Sequence, residues 1–396
     1  MVMGQTDDET TEEPPSRGST LHFGPRYERS AFFEATERHD CRGYGVYNHT
    51  YLPMDYDDPI EEYWRLLEDV VLWDVGAQRI IEISGPDARA FTDILTPRDL
   101  SNCSVGQVKY APLTAEDGGI VNDPVLFRLE EDRFWLSLAD SDAGLWARGV
   151  ACDSPYDVQV GRVDAQPVQV QGPKSKHVIE DLFEPEVTDL DYYWCTETQL
   201  EDTPVMVSRT GWTGEVGYEV FLRDLDRGDE MWRRIMEAGD PYDISPTPPS
   251  EIRRIEAGLF SYGGDMTIEN NPLQLSGMER LVDIEQGTDY IGREALERID
   301  QEGVDRKLVG IDIEGEIEPS IAHPWTAYHE GTEVGRVTAA TWSPRLERSI
   351  GYVWVPIDLA DPNTVLRVET PASKTHAATT ASLPFYDPEK GEPRSV

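Results

Sequence analysis

Hydrophobic and polar positions run along this chain with two periods, and the switches between them mark out the elements. Asp58-Pro59 reads as a helix start, with Asp as N-cap and Pro at the first helical position, and IEEYWRLLEDVVLW follows at helical spacing. Residues 79–84 (RIIEIS) alternate as a strand, and Gly85-Pro86-Asp87 turns the chain into a helix through Leu95. The unit recurs 87 residues on, where Val168-Gln169-Val170-Gln171-Gly172-Pro173 repeats the form of Ile81-Glu82-Ile83-Ser84-Gly85-Pro86. A repeat of that length predicts two related α+β halves. A hairpin follows each half. Val125 to Leu129 and Phe134 to Leu138 flank the turn Glu130–Arg133, and Val205 to Ser208 and Tyr218 to Leu222 flank a Gly-rich turn at 211–214. The breaker SPTPPS (245–250) precedes a helix from about Glu251, and from Lys307 onward short strands (KLVGIDI, TEVGRVTAATWS, SIGYVWV, TVLRVET) predict a small all-β barrel or sandwich. The expected class is α+β: a disordered leader over 1–20, an α+β body of two related halves over 21–305, and a β-barrel-like domain over 306–396.

Charge narrows the function. Against 76 Asp+Glu stand 35 Lys+Arg, a net charge of −41, and only six of those cations are lysine. Such a field repels phosphate backbones and anionic lipid, so nucleic acid and membrane surfaces are excluded as partners. An acid-rich, lysine-poor surface suits molar salt, where repulsion is screened within about 3 Å, and points to the cytoplasm of a halophile. Hydrophobic content of 39% with ten Trp still builds real cores. The four cysteines form no C-x-x-C pair and the seven histidines no H-E-x-x-H, so no metal site is expected. No apolar run reaches the roughly 18 residues of a membrane span, and the acidic N-terminus is unlike a signal peptide.

Three segments are over-specified for folding alone: Tyr110 to Val125, which contains GGIVNDP (118–124); SRTGWTGEVGYE (208–219); and RIEAGL (254–259) with YGGD (262–265) and YIGREAL (290–296). In that order they resemble the folate-dependent family of the glycine-cleavage T-protein (aminomethyltransferase), with its patterns GGhxxD, R-T-G-Y-T-G-E-x-G-[FY]-E, R-h-E-A-G-L and F-I-G-R-E-A-L. GRVT (335–338), WSP (342–344) and Ile350-Gly351 are similar to that family's C-terminal domain. VYNH (46–49), VLWDV (71–75), LTPRDLS (95–101) and WLSLADSD (135–142) look like its dimethylsulfoniopropionate demethylase branch, and Asn122-Asp123-Pro124 stands where T-proteins read D-D-L. Thr213-Gly214-Glu215 keeps the T-protein form. A non-catalytic branch that assists iron–sulfur assembly carries K-G-C-Y-x-G-Q-E, which is absent here.

The resemblance implies tetrahydrofolate as cofactor. It puts the pterin-reading carboxylate at Glu219, able to accept from the 2-amino and N3–H edge of the ring, with Trp212 beside the ring. It makes Asp123 the candidate catalytic residue, holding the cofactor and favouring a cation nearby, with Tyr110 and Val125 as further folate contacts. Arg209 and Arg254 are the expected cations for folate's glutamyl carboxylates. A sulfonium donates no N–H bond and is held by ring faces, each worth about 0.5–2 kcal/mol, so Tyr47, Tyr218 and above all Trp194 are the substrate candidates. The implied reaction moves a methyl group from a sulfonium donor to folate N5. The alternatives are aminomethyl transfer from a lipoyl carrier protein and demethylation of a betaine or dimethylglycine type of amine. A monomer or homodimer is expected.

Overall fold

The computed structural model describes residues 24–317 and 323–395; the acidic leader expected over 1–20 lies outside the described residues. Two antiparallel-rich sheets face each other. One has the order 159–162, 79–84, 133–138, 125–130, 108–110, and the other the order 195–200, 203–208, 217–222, 166–171, 71–74, 245–246. Phe127 and Trp135 of the first sheet meet Met206 and Phe221 of the second, with Phe127 edge-on to Phe221 at 5.3 Å. Helices cover the outer faces. Ile81 and Ile83 pack on Phe91 beneath the first, and Val168, Val170 and Val220 on Trp232 and Ile235 beneath the second.

The repeat is physical. Arg79–Ser84 leads into the helix Ala88–Ile94, and Gln166–Gln171 into Ser175–Leu182. Between strand and helix stand Gly85 (φ +123°) and Gly172 (φ +116°), where a Cβ would fall 2.7 Å from Asp157 O and 2.6 Å from Asp69 O. Both turns therefore need glycine for the same reason.

Asp58 caps its helix as expected, accepting from Ile60 N (2.9 Å) and Glu61 N (3.2 Å). The helix stops at Glu68, short of the expected run, because Val71–Asp74 becomes a strand buried on both faces. Four consecutive buried residues have no solvent face to offer a surface helix. Asp87 does not cap the next helix; its carboxylate accepts instead from Asp157 N at 2.8 Å. The helix from Glu251 is only six residues long, ending at Glu256.

The C-terminal strands close into a barrel of order 306–313, 348–356, 332–343, 325–329, 365–369, 375–381. It docks on the helix Glu251–Glu256 through Ile255, Phe260, Tyr352 and Trp354. The seam is polar as well as apolar. Ser343 Oγ (2.6 Å) and Tyr63 Oη (2.7 Å) both donate to Glu256, and Trp354 Nε1 donates to Asp265 O at 2.9 Å.

Candidate active site

Alternation along Gly217–Leu222 decides which side chains can serve a site. Phe221 enters the space between the sheets, so Glu219 faces the same way, while Tyr218, Val220 and Leu222 enter the helix-covered core. Gln169 stands opposite Glu219 in register on the neighbouring strand. Its Nε2 donates to Glu219 Oε1 at 2.9 Å, and Thr210 Oγ1 donates to Oε2. Glu219 is 4% exposed, and burial raises its pKa against the pull of Thr210 and Gln169. Gln169 Oε1 is buried without a partner among the described residues. The cluster is a buried acceptor set with, among the described residues, no cation as a hydrogen-bond partner.

The Gly-rich turn is shaped by Gln171, whose Nε2 donates to Thr210 O (3.1 Å) and whose Oε1 accepts from Thr213 Oγ1 (2.8 Å). A Cβ at Gly211 or Gly217 would lie 2.2 or 2.4 Å from that amide. Thr213 and Glu215 thus have structural partners: Glu215 Oε1 accepts from Arg253 Nε at 2.7 Å.

The second cluster surrounds Asp123. Gly119 lets the chain pass where a Cβ would meet Ile268 O at 2.1 Å. Asn122 then pins the segment, donating from Nδ2 to Ala139 O (3.0 Å) and Ser141 Oγ (2.8 Å) and accepting from Ala139 N (3.0 Å). Tyr110, the last residue of its strand and paired with Val125, donates from Oη to Asp123 Oδ2 at 2.7 Å. Asp123 Oδ1 is buried with no partner among the described residues. Burial raises the Asp123 pKa from 3.8 to about 7; the Tyr110 hydrogen bond lowers it and Asp265 raises it.

Two more phenols attend this carboxylate. Tyr47 is carried by the tight turn Asn48-His49, both residues at positive φ (47° and 60°), and Asn48 N donates to Asp140 Oδ1 at 2.7 Å. Its hydroxyl is pushed up by burial and by the charges of Asp123 and Asp140. Tyr262 donates to Ile120 O at 2.9 Å and is raised to about 12 by burial and then by Asp123. Aromatic rings beside a buried carboxylate make a place for a cation that cannot donate a hydrogen bond.

Four expected site residues lie elsewhere. Tyr218 is wholly buried in the helix-side core, because it alternates away from Glu219. Trp194 lines a surface cleft with Glu186, Asp189 and Asp191, and the residue before it, Tyr193, turns inward instead. Tyr193 sits at φ +66°, held between Val108 N and Arg209 O, and burial followed by the Glu219 charge raises its hydroxyl. Arg209 donates to Leu190 O (3.1 Å) and Ser395 O (2.8 Å), anchoring backbone, while its Nε is buried without a partner among the described residues. Arg254 binds Asp265 Oδ2 (2.8 Å), Glu251 Oε2 (2.7 Å) and Leu259 O (3.1 Å), so it is neutralised within the barrel seam. It still stands 5.4 Å over the half-buried ring of Trp212.

Sequence reading passed over Gln169, Tyr193 and Tyr262. The strict alternation of VQVQ opposite GYEV carried the signal for Gln169, since both put a polar residue on one face. Tyr262 stood inside a quoted motif without a role. Among the described residues no group of three or more His, Cys, Asp or Glu could hold a metal ion, and no helix is long and apolar enough to cross a membrane.

A two-sheet body carrying the buried carboxylates of Glu219 and Asp123, with a six-stranded barrel docked on it, defines the class. Residues 24–286 match the GCVT N-terminal domain and residues 306–387 the glycine-cleavage T-protein C-terminal barrel domain. The chain belongs to the glycine-cleavage T-protein family and is a folate-dependent transferase; tetrahydrofolate is the family's cofactor. It is 33% identical over 346 residues to the dimethylsulfoniopropionate demethylase DmdA of Ruegeria pomeroyi, an alignment covering 87% of this chain and 94% of that one. It is 29% identical to the aminomethyltransferase of Bacillus subtilis over 343 residues, covering 85% and 92%. The crystal structure of aminomethyltransferase T from Bartonella henselae shares the fold with a TM-score of 0.81 at 24% identity, covering 91% of this chain and 98% of that one.

Proposed function

We propose that this enzyme moves a methyl group from a sulfonium of the dimethylsulfoniopropionate type to N5 of tetrahydrofolate, leaving a thioether. The observation that carries the reading is the set of phenols Tyr47, Tyr110 and Tyr262 around Asp123, whose Oδ1 is buried and unpartnered. Such a place suits a non-donating cation: aromatic rings and one carboxylate attract it, and among the described residues no lysine or arginine donates to that carboxylate. Identity to the demethylase over nearly the whole of both chains supports it. Retention of Thr213-Gly214-Glu215 does not favour aminomethyl transfer, because Gln171 and Arg253 account for it structurally.

The residues fit the cofactor. Glu219 and Gln169 Oε1, which has no partner among the described residues, form an acceptor edge for the planar donors of a pterin, with Tyr193 near enough to feel the Glu219 charge and Trp212 on the adjoining Gly-rich turn. When bound, tetrahydrofolate supplies N5 as the nucleophile. Because N5 exchanges a hydrogen for the methyl group, one proton must leave; in this reading Asp123 takes it, a role supported by its Oδ1, unpartnered among the described residues, and its pKa raised to about 7. Tyr110 holds the carboxylate in one orientation. The rings exclude water and favour the donor's positive charge, which the reaction removes, so tight cation binding alone would slow the step. Alignment of nucleophile, methyl carbon and leaving sulfur supplies most of the acceleration.

The acid-rich surface belongs to a halophile's cytoplasmic enzyme in this reading. The test is a donor panel with tetrahydrofolate in molar salt. Transfer from dimethylsulfoniopropionate without a carrier protein is expected; transfer only from an aminomethyl-lipoyl carrier protein, or only from a betaine, would overturn the assignment.

A further inference from the structure

Tyr47 reaches the Asp123 cluster on a hairpin outside both large sheets. Its strands, 43–47 and 50–55, form a two-stranded sheet of their own, and among the described residues a single bridge, between Thr50 and Glu28, leads out of it. The base of the hairpin is held by Phe33, whose ring stacks on that of Tyr44 at 4.7 Å, and by the hydrogen bond between Thr36 Oγ1 and Tyr44 Oη at 2.7 Å. Val46 points outward and is 42% exposed, so its neighbour Tyr47 points inward. No ladder to a large sheet sets how far in that ring reaches; beyond the bridge to Glu28, docking of the tip must do so.

Asn48 makes that contact. With His49 it forms a two-residue turn in which both residues have positive φ. Glycine would serve such a turn as well, and the asparagine side chain has a further use. It is 2% exposed and donates from Nδ2 to Leu138 O at 3.1 Å, while Asn48 N donates to Asp140 Oδ1 at 2.7 Å. The same stretch, 138–141, also receives the segment before Asp123. Ala139 N and O both bond the side chain of Asn122, and Ser141 Oγ accepts from Asn122 Nδ2 and donates to Val121 O at 2.9 Å. Residues 138–141 are thus a common seat, and Tyr47 and Asp123 each stand one residue from an asparagine bound to it.

We infer that Asn48 is a positioning residue for the methyl donor: by seating the hairpin tip on residues 138–140 it sets the spacing between Tyr47 and Asp123, and through that spacing the hold on the donor's cation. This rests on the proposed reading of Tyr47 and Asp123 as the donor site. Attraction of a cation to a ring acts only within about 6 Å of the ring centre, so a tip that lifts from its seat loses the donor without touching it. Glu219 and Gln169 belong to the other large sheet, so the pterin end of the site does not depend on the seat.

Steady-state kinetics of the full chain with dimethylsulfoniopropionate and tetrahydrofolate in molar salt, paired with calorimetric folate titration, tests this. Asn48→Gly keeps the positive φ and removes the amide; Asn48→Asp keeps the size and turns an oxygen toward the Leu138 carbonyl. Both are expected to raise donor KM about fivefold or more, with kcat and folate Kd each within about twofold of wild type. Because the anchor acts through the ring, the double variant Y47A/N48G should have a donor KM within about twofold of Y47A alone. Unchanged donor KM in both single variants, effects of Y47A and N48G that multiply, or folate affinity falling in step with donor affinity would overturn the inference. A wild-type enzyme that moves no methyl group from the sulfonium would remove the donor assignment and the inference together, an outcome distinct from wild-type transfer that Asn48→Gly leaves unaltered.

Discussion

Replacing Asp123 with Asn should stabilise the protein above neutral pH and do little below pH 4. The native carboxyl has its pKa raised from 3.8 to about 7, chiefly by burial. Between those values the folded state binds a proton that the unfolded chain has released, so wild-type stability falls as pH rises through that window and stays lower above about pH 7. At about 1.4 kcal/mol per unit the full displacement corresponds to about 4 kcal/mol, an upper limit, because Tyr110 keeps its hydrogen bond in either state. Asn is neutral at every pH, fills the same space and can accept from Tyr110 Oη. Chemical denaturation of wild type and D123N at pH 4 and pH 8, in one fixed molar salt, should therefore give nearly equal free energies at pH 4 and an advantage of about 2–4 kcal/mol for the variant at pH 8. The same variant should lose methyl transfer, and with it the rise of wild-type kcat/KM with pH centred near 7. A D123N stability difference that is the same at both pH values would refute the burial argument, because it would mean the carboxyl titrates as it does in the unfolded chain.

Other outcomes follow from the same geometry. Glu219→Gln should weaken tetrahydrofolate binding at least tenfold in a calorimetric titration while circular dichroism stays unchanged, since Gln fills the space between Gln169 and Thr210 but cannot serve both as an acceptor. Tyr218→Phe should leave donor KM unchanged and stability within about 1 kcal/mol, because its buried hydroxyl has no partner to lose; Tyr262→Phe, by contrast, frees Ile120 O and should raise donor KM. Arg209→Ala should cost about 1–3 kcal/mol of stability through two lost carbonyl contacts, with no change in folate affinity.

The periodicities located both sheets' central strands, both hairpins and four of the barrel's six strands because each depends on local alternation bounded by glycine or proline; Trp325–His329 and Thr375–Ala381 were not marked. VVLW was read as helix because burial on both faces erases the period that separates helix from strand. At the site, Asp123, Tyr110 and Glu219 were legible from motifs whose glycines let backbones approach. Tyr218 was misplaced against an available rule, since neighbours on a strand face opposite ways. Tyr193 and Trp194 could not be ordered from sequence, because a positive φ at Tyr193 breaks the alternation that would have told them apart. Nor could Arg209 be read, because its partner Ser395 lies at the other end of the chain.

The most direct measurement uses dimethylsulfoniopropionate labelled with 13C in its S-methyl groups, incubated with the enzyme and tetrahydrofolate in molar salt without any carrier protein. One labelled methyl on N5 of the folate per thioether released, lost in D123N, is the expected result. A donor left intact, or label found in methanol formed with water instead of on folate, would contradict methyl transfer from the sulfonium to N5.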